Sequence, residues 1–339
     1  MSSVDIGIDL GTANTIITIG GKGIVIDEPS VVAYDKKKGC VLAVGSEAYK
    51  MIGRTPEYIV AVKPLRDGVI SDADMTEAMV GAFIKKVSKS MMLKPRIILC
   101  VPSSVTDVEN RAVVEAALSA GARKVFLIKE PIAALLGAGV DITKASGSMV
   151  VDIGGGTTDI AVASFNGIVR DTSIKVAGNR FDEAIIRYIS NKYKVLIGEK
   201  TAEKAKIELA NVFKPDSAHT MVIKGRNLLR GLPESIEINE VDMYEAIIDL
   251  VDEIIAGIKS VLELTPPELV GDILSSGIVL TGGGALLKGL AEHIQQIIGS
   301  PCFVADNAIK CVAKGVEAAF NLSEELMDGF EKISIYRYK

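Results

Sequence analysis

An aspartate followed by a run of glycines and threonines makes the middle of the chain a candidate for phosphate chemistry. Residues 149–151 are apolar and Asp152 follows them directly. Three glycines and two threonines then precede a second apolar run at 160–163. The apolar runs predict two short buried strands, and the glycines predict a turn whose amide groups converge on a phosphate. Asp152 is placed to hold a hydrated Mg²⁺. The plainer alternative is a glycine-rich hairpin with a solvated aspartate.

The same design occurs near the start of the chain. Asp9-Leu10-Gly11-Thr12-Ala13-Asn14-Thr15 repeats the aspartate, the glycine and the threonine after another apolar run. A third glycine turn, at 281–285, follows the apolar residues 278–280 and is expected to open a helix at Leu286. The repetition favours the phosphate interpretation, because two hairpins of one design suggest two similar lobes that grip one polyphosphate.

These motifs resemble those of the MreB family of bacterial actins, within the superfamily of actin, Hsp70 and sugar kinases. The resemblance runs from about residue 4 to residue 319 and is carried by 8–15, 53–56, 64–70, 130–131, 147–156 and 280–287. It implies an α/β, actin-like (ribonuclease H-like) duplicated fold. Each of the two lobes would hold a mixed sheet with helices, and a nucleotide cleft would lie between the lobes.

The resemblance also divides the chain. The first lobe is expected to comprise residues 1–145 and about 312–339, with an outer subdomain at about 31–65. The second lobe is expected at 146–311, with an outer subdomain at about 182–242.

The resemblance implies a slow ATPase that uses Mg²⁺. Glu130 would orient or polarise the attacking water, Thr157 would lie near the γ-phosphate, and Asp152 would complete the catalytic set. Asp9 and Asp152 would hold Mg²⁺ through water. The residues expected to bind the nucleotide are Gly11, Thr12, Ala13, Asn14, Gly154, Gly155, Gly156, Thr157, Thr158, Glu203, Lys204, Ala205, Lys206, Gly282, Gly283, Gly284, Ala285 and Leu286.

Some of these residue types also have plain structural roles. Glu130 precedes a proline at a predicted helix start, where a carboxylate stabilises the helix dipole. Glu203 and Lys206 have the spacing of an ordinary ion-paired helix face. The chain departs from the family pattern at Lys129, where relatives commonly have a second glutamate, and at Asp159, where many have glutamate. Lys129 is expected to alter local pKa values and turnover.

The composition excludes several classes of protein. The 339 residues, 48% hydrophobic and 24% charged, are enough for two cores in a globular chain. A net charge of −5 argues against a generally nucleic-acid-binding surface. Neither histidine lies near a nucleophile motif, so histidine-based catalysis is not expected. Four cysteines without CxxC spacing, and no signal peptide or long apolar span, suggest a reduced cytoplasm.

Three apolar residues interrupt a loop that should be polar. Met91, Met92 and Leu93 lie between Lys89 and Lys94. They either fold back onto the core or form a membrane finger, in which the apolar side chains enter the acyl boundary and the lysines meet anionic headgroups. In MreB-like proteins this loop contacts the membrane.

We therefore expect a cytoplasmic actin-like ATPase at the inner face of the cell membrane. It would polymerise with itself into paired filaments on an anionic membrane surface, without direct contact to nucleic acid. With membrane proteins of the wall-elongation machinery it would organise wall synthesis and set rod shape. The alternatives are a monomeric actin-fold ATPase, Hsp70-like or sugar kinase-like, and a plasmid-segregating actin-like filament.

Overall fold

The structure, a computed structural model, describes residues 5–88, 94–103, 105–215, 219–322 and 330–333. The predicted membrane finger, Met91 to Leu93, lies outside these residues. The helices are α1 (Ser46–Met51), α2 (Ala73–Ser88), α3 (Asp107–Ser119), α4 (Glu130–Gly137), α5 (Gly178–Tyr193), α6 (Glu199–Leu209), α7 (Glu240–Glu263), α8 (Pro267–Ser276), α9 (Leu290–Ile298) and α10 (Cys311–Leu322).

The strands divide between the two halves of the chain. The first half contains β1 (Asp5–Leu10), β2 (Asn14–Ile19), β3 (Gly23–Pro29), β4 (Val32–Asp35), β5 (Cys40–Val44), β6 (Ile59–Val62), β7 (Leu65–Arg66), β8 (Val69–Ile70), β9 (Arg96–Val101) and β10 (Lys124–Lys129). The remainder contains β11 (Ser148–Ile153), β12 (Thr158–Ser164), β13 (Gly167–Ile174), β14 (Val195–Leu196), β15 (Thr220–Asn227), β16 (Pro233–Asn239), β17 (Ile278–Thr281), β18 (Cys302–Val304) and β19 (Phe330–Ile333).

Two mixed sheets of related design form the centres of the two lobes. The first has the order β19-β10-β9-β1-β2-β3, and the second has the order β13-β12-β11-β17-β18. In each sheet an antiparallel hairpin, β1–β2 or β11–β12, lies beside a parallel neighbour, β9 or β17. The central strands β1 and β11 are buried along almost their whole length, because helices and loops cover both faces of the sheet. The predicted internal duplication is therefore visible in the strand order.

The two sheets share a core where the chain crosses between them. Ile98 and Phe126 of the first sheet, Val150 of the second, Ile132 of α4 and Val316 of α10 belong to one buried cluster. α4 follows β10 directly, and α10 brings the chain back from the second lobe. The lobes are thus joined by packed apolar side chains at the base of the cleft. The predicted lobe boundaries stay predictions.

Each lobe also carries a small outer sheet of three strands. The first has the order β5-β4-β6 and packs against α1, and the second has the order β14-β15-β16. The prediction that a helix opens at Leu286 is wrong, because the glycine turn leads into a short 3-10 helix, Gly283–Leu286, and α9 begins only at Leu290 after a left-handed Gly289. Among the residues that the structure describes, no helix has both the length and the apolar character needed to cross a bilayer.

Candidate functional site

The tips of the two glycine hairpins touch across the cleft. A Cβ atom added to Gly155 would lie 2.9 Å from the Cβ of Ala13, and one added to Gly156 would lie 2.7 Å from the Oγ1 of Thr12. Real Cβ atoms do not approach that closely, so the two turns meet only because these positions carry no side chain. The amide groups of both turns therefore border the same space.

A cavity of about 520 Å³ opens beside this contact. Both lobes contribute to its walls, as a cleft between two domains commonly does. The predicted site residues that line it are Asp9, Gly11, Thr12, Ala13, Asn14, Glu130, Asp152, Gly154, Gly155, Gly156, Thr157, Glu203, Lys206, Gly282, Gly283, Gly284 and Leu286. The fold thus collects into one cavity residues that are spread over most of the chain.

A second concavity lies on the outer part of the first lobe. This open groove of about 710 Å³ is lined by residues of β5, α1 and the following loop, including Leu42, Met51 and Arg54. Its lining includes neither a glycine turn nor a group of buried carboxylates. The cleft between the lobes is therefore the candidate site.

Four carboxylates converge at the inner end of the cleft. Asp9 is at the end of β1, Asp152 and Asp159 lie opposite each other on β11 and β12, and Glu130 begins α4. Asp9, Asp152 and Asp159 are buried, and one carboxylate oxygen of Glu130 is buried with no hydrogen-bond partner among the described residues. Burying several like charges together is costly unless a cation or protons compensate them.

The pKa values of these groups reflect that cost. Burial, reinforced by repulsion from Asp152 and Asp27, raises the pKa of Asp9 to about 7. Burial also raises the pKa of Asp152 to about 7, although the Thr281 hydroxyl donates a 2.5 Å hydrogen bond to Asp152 Oδ1. The pKa of Glu130 is raised well above its usual range, first by burial and then by repulsion from Asp159, Asp152 and Asp9.

These shifts predict how the ligand-free protein responds to pH. The pKa of Asp9 and Asp152 rises from 3.8 unfolded to about 7 folded. The folded chain therefore binds more protons than the unfolded chain between roughly pH 4 and pH 7, so the free energy of unfolding falls as the pH rises through that window. We expect thermal denaturation of the ligand-free protein to give a lower Tm at pH 8 than at pH 5.5.

The aspartate variants identify the groups responsible. Asp9→Asn and Asp152→Asn should each reduce the Tm difference between the two pH values, since each removes one raised carboxyl pKa. Asp74→Asn, on the exposed first turn of α2, serves as the control and should leave the difference unchanged. A ligand-free Tm that increases from pH 5.5 to pH 8 would contradict the assignment.

A hydrated divalent cation fits this end of the cleft. Asp9 and Asp152 both line the cavity, and a positive charge beside them would relieve the repulsion that raises their pKa values. In the described parts of the chain, no three acidic, histidine or cysteine side chains are grouped closely enough to hold a metal by themselves. The donor set therefore suits Mg²⁺, which keeps several waters and takes further oxygens from phosphates.

The outer end of the cleft is formed by α6 and the start of α5. Lys206 Nζ pairs with Asp182 Oδ1 at 2.8 Å and donates to the Gly178 carbonyl at 3.0 Å. Burial raises the pKa of Asp182 to about 6, against the lowering effect of Lys206. These contacts fix the position of the Lys206 ammonium group at the cavity wall.

Four predicted nucleotide-binding residues do not line the cavity. The Thr158 hydroxyl is buried and donates to the Val176 carbonyl at 2.6 Å. Lys204 extends outward and forms an ion pair with Glu208 at 3.6 Å. Ala205 and Ala285 are buried in the second-lobe core.

Lys129 is one of the positions where the chain departs from the family pattern. Its Nζ lies 3.9 Å from Oδ2 of Asp171 on β13.

Several residues of the cavity wall were not predicted from the sequence. Asn179 and Asp182 lie on the first turns of α5, and Ile309 and Val312 lie where the chain returns to the first lobe. The backbone amides of Gly178 and Asn179 donate to the carbonyls of Gly154 and Gly155, so the start of α5 supports the second glycine turn. Gly178 and Asn179 are residue types that favour turns, whereas Ile309 and Val312 carry no local signal in the sequence.

Two lobes of like design that each place a glycine hairpin at one shared cleft define an actin-like protein. The chain belongs to the MreB/Mbl family, because the family model for MreB/Mbl protein matches residues 3–328. The predicted family membership is thereby confirmed.

The chain is similar to cell shape-determining proteins over nearly its whole length. It is 51% identical to the cell shape-determining protein Mbl of Bacillus subtilis over 328 residues, which cover 96% of this chain and 98% of the relative. It is 47% identical to the cell shape-determining protein MreB of Escherichia coli over 321 residues, which cover 93% of this chain and 92% of the relative.

Solved structures confirm the predicted actin-like fold. The crystal structure of MreB5 of Spiroplasma citri bound to ADP superposes with a TM-score of 0.91 at 36% identity, covering 96% of this chain and 98% of that chain. A MamK double helical filament superposes with a TM-score of 0.78 at 24% identity, covering 96% of this chain and all of that chain. The second likeness concerns the fold alone.

Proposed function

We propose that this protein binds and hydrolyses ATP in the cleft and polymerises into membrane-associated filaments that organise cell-wall synthesis and determine rod shape. The observation that carries the proposal is the contact of two glycine hairpins, one from each lobe, beside a cavity with buried carboxylates. MreB5 of Spiroplasma citri, which has been solved bound to ADP and to AMPPNP, supports the choice of nucleotide. The cell shape-determining relatives Mbl and MreB support the cellular role.

The glycine turns would hold the polyphosphate. Gly11 to Ala13 on one side and Gly154 to Thr157 on the other line the cavity, and their backbone amides suit phosphate oxygens. Asp9 and Asp152 would hold a hydrated Mg²⁺, which would neutralise charge on the phosphates when bound. Thr281 keeps the Asp152 carboxylate in one orientation through its hydroxyl.

Glu130 would act on the attacking water. Its buried carboxylate oxygen has no hydrogen-bond partner in the part of the chain that the structure describes, and the residue lines the cavity on the first-lobe side. An unpaired carboxylate oxygen accepts a hydrogen bond from water, so Glu130 can orient a water toward the bound phosphate or accept its proton. Phosphoryl transfer depends mainly on positioning and charge stabilisation, so one such carboxylate suffices.

The outer end of the cleft would hold the nucleoside. Glu203 and Lys206 supply polar groups for the ribose and the base, and Lys206 is already held by Asp182. Leu286 and Ile309 are about half exposed on the cavity wall, as expected of apolar side chains that a planar base would cover.

Phosphate release by the purified protein tests the enzymatic part of the proposal. We expect slow hydrolysis of ATP with Mg²⁺ and none above background when EDTA removes the metal. Binding of fluorescent mant-ATP is measured on the same samples. Tight mant-ATP binding without any phosphate release, under both polymerising and dilute conditions, would reject the ATPase and keep only a nucleotide-binding filament protein.

We place the protein on the inner face of the cell membrane through the loop at Met91 to Leu93. This loop lies outside the described residues, and its sequence, three apolar residues between two lysines, is the support for the assignment. The protein would then contact the membrane proteins of wall elongation at the same surface.

Replacing Met91, Met92 and Leu93 by serine should abolish co-sedimentation with anionic liposomes, because about 0.8 kcal/mol is lost for each CH₂ group withdrawn from the acyl region. ATP hydrolysis in the absence of lipid should be unchanged. Leu274, an exposed apolar residue on α8, provides the control variant Leu274→Ser, which should sediment with liposomes as the wild type does. Full liposome binding by the triple-serine variant would show that the loop does not contact the membrane.

A further inference from the structure

Two contacts bridge the mouth of the cleft between the outer parts of the lobes. Lys63 Nζ, just after β6, lies 3.3 Å from Glu199 Oε2 on the first turn of α6. Next to it, Lys200 Nζ lies 4.0 Å from the centre of the Tyr49 ring and 3.5 Å from the Tyr49 carbonyl oxygen. Tyr49 and Lys63 belong to the first lobe, whereas Glu199 and Lys200 belong to the second.

We propose that these four residues, Tyr49, Lys63, Glu199 and Lys200, form a clasp that holds the cleft closed and slows the exchange of bound nucleotide. The clasp rests on the nucleotide site proposed above, but it concerns how long a nucleotide stays there rather than its hydrolysis.

Helix α6 connects the clasp to the candidate site. Its first turn carries Glu199 and Lys200, and its second turn carries Glu203 and Lys206, which line the cavity. Residues one turn apart on a helix move together, because the backbone hydrogen bonds make the helix stiff. A nucleotide that contacts the second turn therefore biases the position of the first turn, and the clasp biases the position of the nucleotide contacts in return.

The charges around the clasp are complementary across the cleft. Lys63, from the first lobe, faces Glu199. Burial raises the pKa of Asp182, which pairs with Lys206 on the opposite wall, and the positive charge of Lys63 partly offsets that rise. Burial raises the pKa of the Tyr49 hydroxyl, and repulsion from Glu203, Glu199 and Asp182 adds to it, so second-lobe carboxylates face this ring. The Lys63 ammonium group of the first lobe and these carboxylates of the second lobe attract each other when the cleft is closed.

Each contact is weak enough to break in normal opening. The Glu199 side chain is 70% exposed, and an exposed ion pair of this kind contributes little to stability. The ammonium over the Tyr49 ring adds a second modest attraction. Two such contacts set an opening equilibrium without locking the cleft, which suits a protein that must release and rebind nucleotide.

The experiment measures the dissociation of mant-ATP after a chase with unlabelled ATP, at protein concentrations below those that polymerise. We expect the double variant Glu199→Lys with Lys200→Met to release mant-ATP roughly three to ten times faster than the wild type. Glu199→Lys alone should also accelerate release, and its effect should shrink at high salt because the charges are partly exposed.

Lys144→Met is the matched control. Lys144 also forms one exposed ion pair, at 3.3 Å with Asp141, but this pair lies within a single loop and does not cross the cleft. It should release mant-ATP at the wild-type rate. Wild-type release rates in the double variant, or equal acceleration in Lys144→Met, would overturn the clasp while leaving ATP binding and hydrolysis intact. Failure of the wild type to bind mant-ATP at all would overturn the proposed nucleotide site and the clasp with it.

Discussion

Glu130→Gln should slow ATP hydrolysis by about 10²- to 10⁴-fold while the affinity for ATP changes little. The glutamine keeps the size of the side chain and most of its contacts, but it cannot accept a proton from water. Because Glu130 is repelled by Asp159, Asp152 and Asp9, its neutralisation should also leave the ligand-free protein at least as stable as the wild type. Single-turnover phosphate release, mant-ATP titration and thermal denaturation measure the three quantities.

Glu203→Gln supplies the comparison, since Glu203 lines the nucleoside end of the same cavity. It should weaken the affinity for ATP and leave the rate at saturating ATP close to that of the wild type, the opposite pattern to Glu130→Gln. If Glu130→Gln hydrolyses ATP at a rate within about twofold of the wild-type rate, Glu130 takes no part in the chemical step, whatever the effect of the substitution on ATP affinity.

Gly156→Ala should weaken ATP binding by roughly 10- to 100-fold. The added Cβ would lie 2.7 Å from Thr12 Oγ1 and 2.9 Å from the Asp67 amide nitrogen, so the two hairpins must separate. Overpacking of this kind costs about 1–3 kcal/mol, and each 1.4 kcal/mol corresponds to a tenfold change in affinity. Isothermal titration with ATP and Mg²⁺ measures the loss, and circular dichroism checks that the variant is folded.

A neighbouring glycine in the same turn controls for the general effect of a methyl group. Among the described residues, a Cβ on Gly154 would meet only the Thr157 carbonyl oxygen, at 3.4 Å, which is an ordinary contact distance. Gly154→Ala should therefore lose at least about fivefold less affinity than Gly156→Ala. Equal losses in the two variants would show that the contact between the hairpin tips does not determine binding.

The sequence predicts the inner half of the cleft because its signals are local. Each glycine turn follows an apolar strand directly, so the position of Asp9 and Asp152 at strand ends is set by a few neighbouring residues. Thr157 lies in the turn before β12 and lines the cavity, whereas Thr158, the first residue of β12, donates its hydroxyl to the Val176 carbonyl just after β13.

Helical periodicity accounts for part of the cavity wall that α6 forms. Glu203, Lys206 and Ile207 share one helix face and line the cavity, whereas Ala205 lies on another face and is buried. Glu208, which pairs with Lys204, and the C-cap residue Ala210 also line the cavity, and helical periodicity does not predict them. By contrast, Ile309 lines the cavity because the chain returns to the first lobe at this point. The pairing of Lys63 with Glu199 joins residues 136 positions apart and likewise depends on how the lobes are packed.

Nucleotide-dependent assembly is the central claim, and negative-stain electron microscopy on an anionic lipid monolayer tests it most directly. With Mg²⁺ and ATP the account predicts paired filaments on the lipid, and with EDTA in place of Mg²⁺ it predicts none. A protein that hydrolyses ATP but stays monomeric with and without lipid would contradict the filament account and identify a monomeric actin-fold ATPase instead.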